Sequence, residues 1–293
     1  MRRFIALVLF ILFCQSVPAQ INWVAHYKIY NTELKKQITI QELVNDIAKT
    51  DALFFGEDHN DSIAHYLQDT LYKALLAQYN NVTLSMEMFE RDCQQVLNEY
   101  LAGFITEPNL IKEGRAWKNY KDYKALVNTA KQFNQPVIAA NAPRRYVSLV
   151  NRRGLQSLDS LDKQSKQYFA PLPVDTINTP YFEEFVEAMG GEKHFSGINM
   201  YYAQTLWDAT MAHSIYQYWR KNKKTKIFHL NGRFHTDKHL GTFTQLQRKD
   251  KKLQIKNISC FADDGYENPD WSKHITLGNY IILTDPKVPK TFK

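Results

Sequence analysis

Cysteine is scarce in this chain. Three cysteines among 293 residues, with no CxxC pair and no Cys/His run, exclude a disulfide-rich scaffold, a zinc finger and a thioredoxin-like centre. The familiar catalytic signatures are missing too. There is no Gly-x-Ser-x-Gly elbow, no His-Glu-x-x-His helix and no phosphate-binding loop, so no short motif names a substrate. Short-period repeats and low-complexity segments are absent. The one conspicuous apolar run, Phe4 to Phe13, is too short to span a bilayer. It follows Arg2-Arg3 and precedes Val17-Pro18-Ala19, the order of a secretory signal peptide. Residues 1–19 are read as that leader and 20–293 as one mature domain in the periplasm or cell envelope. Bulky Phe13 before Cys14 makes a lipoprotein the weaker alternative.

Charge of one sign is only mildly in excess. The formal charge is +7, and losing Arg2 and Arg3 leaves the mature chain at +5. Lys221, Lys223, Lys224 and Lys226, and separately Arg248, Lys249, Lys251 and Lys252, flank helices as solvated faces, so nucleic acid is excluded as a partner. With 44% hydrophobic and 23% charged residues, the composition is that of an ordinary globular protein.

What is present is a series of short apolar strands alternating with helical patterns. Ala52–Phe55, Val82–Met86, Pro136–Ala140 and Ile227–Leu230 read as buried strands, with later strands at Leu253–Phe261 and Tyr280–Leu283 and a short early one at Tyr27–Tyr30. Thr39 and Glu42 form a capping box, and Ser62 is read as the cap of the helix that runs to about Tyr79. This alternation predicts an α/β fold with a mainly parallel sheet covered by helices on both faces. Prolines and the Gly190-Gly191 pair break the pattern from Leu155, which predicts a smaller helical insertion over about 155–222. Within it, a helix from about Ile198 to Arg220 is apolar nearly all round and is therefore buried on more than one side. The tail after Asp285 is expected to fray.

Four of these strands hand over to polar residues at the same end: Glu57 and His59, Glu87, Asn141, and His235. Parallel strands carry their carboxyl ends to one edge, so the four groups should converge. Core packing explains them poorly, because a buried charge without a partner costs several kcal/mol. Gly56 and Gly232 each stand three residues before a histidine, where a tight turn would let backbone approach a ligand.

The blocks Gly56-Glu57-Asp58-His59-Asn60-Asp61 with His65, Glu87-Met88-Phe89-Glu90-Arg91, Asn141-Ala142-Pro143-Arg144-Arg145-Tyr146 and Gly232-Arg233-Phe234-His235 resemble the ChaN-like haem-binding proteins. That family sits in a wider superfamily with TraB, the Tiki proteases and the erythromycin esterases, marked by paired Gly-x-x-His motifs. The resemblance runs from about Tyr27 to Leu283 and implies an exported protein linked to iron and haem acquisition. It also implies a homodimer holding two stacked haems with tyrosine on the iron, and an outer-membrane haem or iron receptor as a possible partner.

The candidate cofactor residues are Glu57, His59, Glu87, Arg91, Asn141, Arg144, Arg145, Gln204, Asp208 and His235. Arg144 and Arg145 offer planar forks for haem propionates, or a solvated helix start. Gln204 and Asp208 interrupt the long apolar helix four residues apart and should hydrogen-bond inward. Glu87 and Arg91, four apart, could equally be a simple ion pair, and Met211 reads as core filling. His65 is read as packing or capping, and His235 with His239 as a weak metal-binding spacing. Tyr201 or Tyr202 is the candidate haem ligand from the insertion. The alternative function is a hydrolase in which Glu57, His59, Glu87 and His235 activate water by acid/base chemistry or through a divalent metal, with His59 and His235 as candidate ligands.

Overall fold

The computed structural model describes residues 22–177, 179–195 and 197–292. The leader read over 1–19 lies outside the described residues. A hairpin of β1 (Tyr27–Asn31) and β2 (Lys36–Ile38) leads into α1 (Ile40–Asp46), which the Thr39/Glu42 capping box opens as the sequence predicts. Strand β3 (Ala52–Glu57) feeds α2 (Ser62–Gln78). The cap of α2 is Asp61 rather than Ser62: its carboxylate accepts the Ile63 and Ala64 amides at 2.8 and 3.1 Å, and a charged acceptor outcompetes a hydroxyl at a helix N-terminus. Then follow β4 (Val82–Glu90), α3 (Gln94–Leu101), α4 (Glu107–Glu113), α5 (Tyr120–Gln132), β5 (Val137–Asn141) and α6 (Arg144–Arg153). Two short helices, α7 (Lys163–Lys166) and α8 (Thr179–Ala188), precede the long α9 (Ile198–Lys221). The chain closes with β6 (Lys226–Gly232), α10 (Gly241–Lys249), β7 (Ile255–Ala262) and β8 (Tyr280–Thr284).

The eight strands form one sheet in the order β2-β1-β8-β7-β3-β6-β4-β5. The six from β8 to β5 are parallel, and β1 and β2 add an antiparallel edge. Both faces are covered, and β3 shows why its sequence is apolar throughout. Leu53 and Phe55 enter the larger core with α1, α2 and α5, while Ala52 and Phe54 pack against α9 and α10 on the other face.

The long helix joins two regions. Ala203, Leu206 and Ala209 pack with α6 and the irregular segment, whereas Met211, Ala212, Ile215 and Trp219 lie on the sheet. Helix α9 therefore belongs to the α/β body, and the irregular part of the 155–222 insertion ends before it. The tail departs from expectation. Thr291 N–H donates to the Asn60 carbonyl at 3.0 Å, Asn60 Nδ2 to the Phe292 carbonyl at 3.2 Å, and Ser62 Oγ to the Pro289 carbonyl at 2.8 Å. These bonds tie the last residues across the turn after β3 instead of leaving them frayed. Cys93 and Cys260 are both buried, and neither forms a disulfide among the described residues.

Candidate functional site

The four strands whose ends carry the polar residues, β3, β6, β4 and β5, are consecutive neighbours in the sheet. Their carboxyl ends consequently lie side by side, the edge at which open parallel sheets place ligands. The two glycines bring the turns together. A Cβ on Gly56 would stand 2.9 Å from Arg233 Cα, and one on Gly232 would stand 2.7 Å from His59 Nε2. Each Gly-x-x-His turn thus packs into the space left by the other's missing side chain.

Glu57 is the hub of the β3 side. Its side chain is fully buried, yet one oxygen accepts the Tyr123 hydroxyl at 2.5 Å and lies 2.9 Å from His59 Nδ1. The other accepts Gln68 Nε2 at 2.5 Å and lies 3.3 Å from His65 Nδ1. Burial alone would raise the carboxyl pKa; the hydrogen bonds and charges of His59 and His65 overcome it and hold Glu57 at about 2. Burial opposes the charged forms of His59 and His65 as well, and Glu57 nevertheless raises both.

On the β4–β6 side, Glu87 accepts the Gly232 amide at 2.7 Å and faces His235 Nε2 at 3.5 Å. The opposite ring nitrogen, Nδ1, is 2.7 Å from Asp208 Oδ1, an oxygen that also accepts the Thr242 hydroxyl at 2.8 Å. Tyr181 donates to the remaining Asp208 oxygen at 2.7 Å, and Gln204 Nε2 donates to the Tyr181 hydroxyl at 3.0 Å while lying 3.1 Å from His235 Nδ1. An imidazole held between two carboxylates is stabilised as the cation. Burial would depress it, but Glu87 and Asp208 carry His235 up to about 10, and against its own burial Glu87 is drawn down to about 2 by His235 and His59. The gap in the apolar pattern of α9 at Gln204 and Asp208 is explained: both point inward to His235.

Above these groups lies a cleft of about 460 Å³ lined by His59, Gln204, Gly232, Phe234 and His235, with Lys290 and Phe292 of the tail on its wall. Only His59 has substantial access, its side chain 35% exposed, while Glu57 and Asp208 are sealed and His235 nearly so. The arrangement can orient His59, with Nδ1 fixed by Glu57 and Nε2 standing over Gly232, as a proton acceptor at the mouth of a charged, rigid floor. Among the described residues no group of three or more His, Cys, Asp or Glu side chains is arranged to hold a metal ion. His239 lies in a tight turn with positive φ and contacts Asn279 at 3.2 Å, so no helical face presents it with His235.

A second, more apolar cleft of about 480 Å³ opens beside the first between α6, α8 and α9, with Val147, Phe185, Met189, Met200 and Trp207 on its walls. Arg144 stands at its edge and Gln204 links it to the polar network. Arg145 is tied to Asp92 and stacks on Tyr146, 4.5 Å from the ring centroid. Asn141 is buried at the end of β5, where its side chain accepts the Ala142 amide at 2.9 Å. Tyr201 is buried among Tyr181, Phe182 and Phe185 with its hydroxyl 3.3 Å from the Thr176 carbonyl, whereas Tyr202 is half-buried.

Arg91 is not with the cluster. Strand β4 runs on through Glu90, so Glu87 and Arg91 are not one helical turn apart; the guanidinium instead meets Ser214 of α9 at 2.8 Å. Tyr123, Gln68, Tyr181 and Thr242 are network members that the sequence reading lacked, and His65, read as a packing residue, joins them. A tyrosine on the apolar stripe of α5 is indistinguishable from core until its hydroxyl's partner is known.

A family model described as haem-binding uptake, Tiki superfamily, ChaN matches residues 43–246. No curated protein matches the chain. Among solved structures, cofacial haem-binding ChaN of Campylobacter jejuni is similar at 18% identity and a TM-score of 0.67, covering 89% of this chain and 97% of that one. A mutant erythromycin esterase, EreC, in its open conformation aligns at 10% identity and a TM-score of 0.49 over 80% of this chain and 77% of that one. The type III effector HopBA1 aligns at 11% identity and a TM-score of 0.44 over 84% and 93%.

Proposed function

This chain belongs to the haem-binding uptake family of the Tiki superfamily typified by ChaN, and from that premise we propose that it binds haem as an exported component of iron acquisition. The single observation that carries the reading is the family match, which spans the sheet edge and the helices around it. The fit of the residues supports it. A porphyrin needs apolar walls, a cation for its propionates and a ligand for its iron. Phe185, Met189, Met200 and Trp207 supply walls, and Arg144 at their edge supplies a cation whose side chain forms no ion pair among the described residues. Neither tyrosine is among the residues lining this cleft; Tyr202, half-buried next to Ala203 of its wall, is the candidate for the iron, since Tyr201 is buried with its hydroxyl directed at Thr176. Bound haem would supply the iron; the chain's part is to hold the macrocycle and orient it. A homodimer stacking two haems, a receptor partner and the periplasmic or envelope location of the mature chain belong to the same proposal.

Titration of the purified protein with haemin tests it. A saturable Soret band is expected, lost or shifted in Tyr202→Phe and weakened roughly tenfold in Arg144→Ala, about 1.4 kcal/mol. Absence of a saturable band would overturn the reading. Sedimentation with and without haemin tests the dimer, and N-terminal sequencing of the exported form tests cleavage after residue 19.

The hydrolase keeps one observation in its favour, the oriented and accessible His59 above buried Glu57. Ester or amide hydrolysis abolished by His59→Ala with haem affinity intact would support it.

A further inference from the structure

Strand β5 ends the sheet, and its free edge is met by a side chain rather than a strand. Gln94 Nε2 donates to the Val137 carbonyl and Gln94 Oε1 accepts the Ala139 amide, both at 2.8 Å. Along that edge runs a groove of about 360 Å³, floored by Val137, Ile138 and Ala139 and flanked by α3 and α9. Its walls are polar: Gln94 and Asn98 on one side, Ser214, Gln217 and Lys221 on the other, and Arg91 at one end.

Arg91 is the unexplained group. It is half-buried, and among the described residues its guanidinium meets only neutral acceptors: Ser214 Oγ at 2.8 Å, the Gln167 carbonyl at 3.2 Å and Gln217 Oε1 at 3.4 Å. Arg233, the other half-buried arginine among the described residues, faces the Asp237 carboxylate at 2.8 Å. Arg91 faces no carboxylate among the described residues, and burial pulls its guanidinium down with no opposing charge. The three bonds use three of five N–H donors. A half-buried cation without a counter-charge is costly to hold, and an incoming anion offsets that cost. The second cation is placed by helical spacing. Ser214, Gln217 and Lys221 lie on one face of α9, so Lys221 stands about 10 Å along the groove from Ser214, at ~1.5 Å per residue.

We propose that this groove is a second ligand site, for a small organic polyanion bearing carboxylates, with one carboxylate on Arg91 and another reaching Lys221. Once the long 3.4 Å contact to exposed Gln217 gives way, Nη2 is free to form a fork that takes a planar carboxylate; the lysine adds a point charge, and the amides of Gln94, Asn98 and Gln217 serve the remaining oxygens. The site is separate from both clefts at the sheet edge and stands independently of haem binding.

Calorimetric titration of the haem-free protein with citrate at low ionic strength tests it, with inorganic phosphate and acetate as comparisons. Saturable binding of one citrate is expected, with acetate and phosphate much weaker. Lys221→Glu should weaken citrate at least tenfold. Gln217→Glu, at an exposed position that leaves the core untouched, should abolish it by placing a carboxylate on Arg91. Lys35→Glu, which makes the same charge change on the exposed β1–β2 hairpin at the opposite edge of the sheet, should leave it unaltered. No saturable citrate binding, phosphate bound as tightly as citrate, or equal loss in Lys35→Glu would each overturn the proposal.

Discussion

Replacing Asp208 with asparagine should unbalance the most tightly coupled part of the molecule. In the folded chain His235 sits between Asp208 at 2.7 Å and Glu87 at 3.5 Å. A pKa carried from 6.5 to about 10 corresponds to roughly 5 kcal/mol of preference for the imidazolium. The low pKa of Glu87 reflects part of the same attraction, so the two shifts are not added. Removing one partner of a buried ion pair costs about 3–5 kcal/mol, and since Glu87 remains, the lower end applies. At about 2–4 °C per kcal/mol for a chain of this size, Asp208→Asn should melt roughly 6–12 °C lower. The pH dependence adds a sharper signature. Because the folded pKa of His235 is the raised one, its contribution is complete below pH 6.5 and is lost as pH climbs through about 10. Urea unfolding from pH 6 to 10 should therefore show stability falling in the parent, and falling less in the variant. An NMR titration placing the His235 ring near the ordinary histidine value in the parent would refute the reasoning, whatever the melting temperatures.

The two glycines should differ in kind. Gly56→Ala drives a methyl against the Arg233 backbone and should cost about 1–3 kcal/mol in urea unfolding. Gly232→Ala meets the far end of the His59 side chain and no backbone, so it should perturb the His59 NMR signals with a smaller stability loss. At the acid end, Glu57 and Glu87 have folded pKa values lowered from 4.5 to about 2, so their stabilisation is present above pH 4.5 and lost as pH falls through about 2. Fluorescence-detected unfolding between pH 5 and 2 should show this loss, and Glu57→Gln should flatten it.

The parts of the fold that were legible in the sequence were those set by local pattern. The strands of β3, β4, β5 and β6 announce themselves as apolar runs, and their shared direction places Glu57, Glu87 and His235 at one edge. Gln204 and Asp208 could be read because a polar pair inside an apolar helix needs an inward partner. The partners donating from other elements could not. Tyr123 and Tyr181 look like ordinary aromatic core, and Gln68 like any polar residue on α2, because pairing across more than ten residues leaves no periodic trace. Arg91 misled for a related reason: its spacing from Glu87 mimics a helical ion pair, but β4 continues extended past that point and turns the side chain toward α9. Strand β1 was read at Tyr27–Tyr30, but its antiparallel partner β2 escaped because it is only three residues long.

The last residues have a practical bearing on how this protein is handled. Lys290 and Phe292 form part of the wall around His59 and His235. An affinity tag or fluorescent fusion joined directly after Phe292 would begin beside the very opening through which a ligand would enter, and binding data from such material would report the appendage as much as the protein.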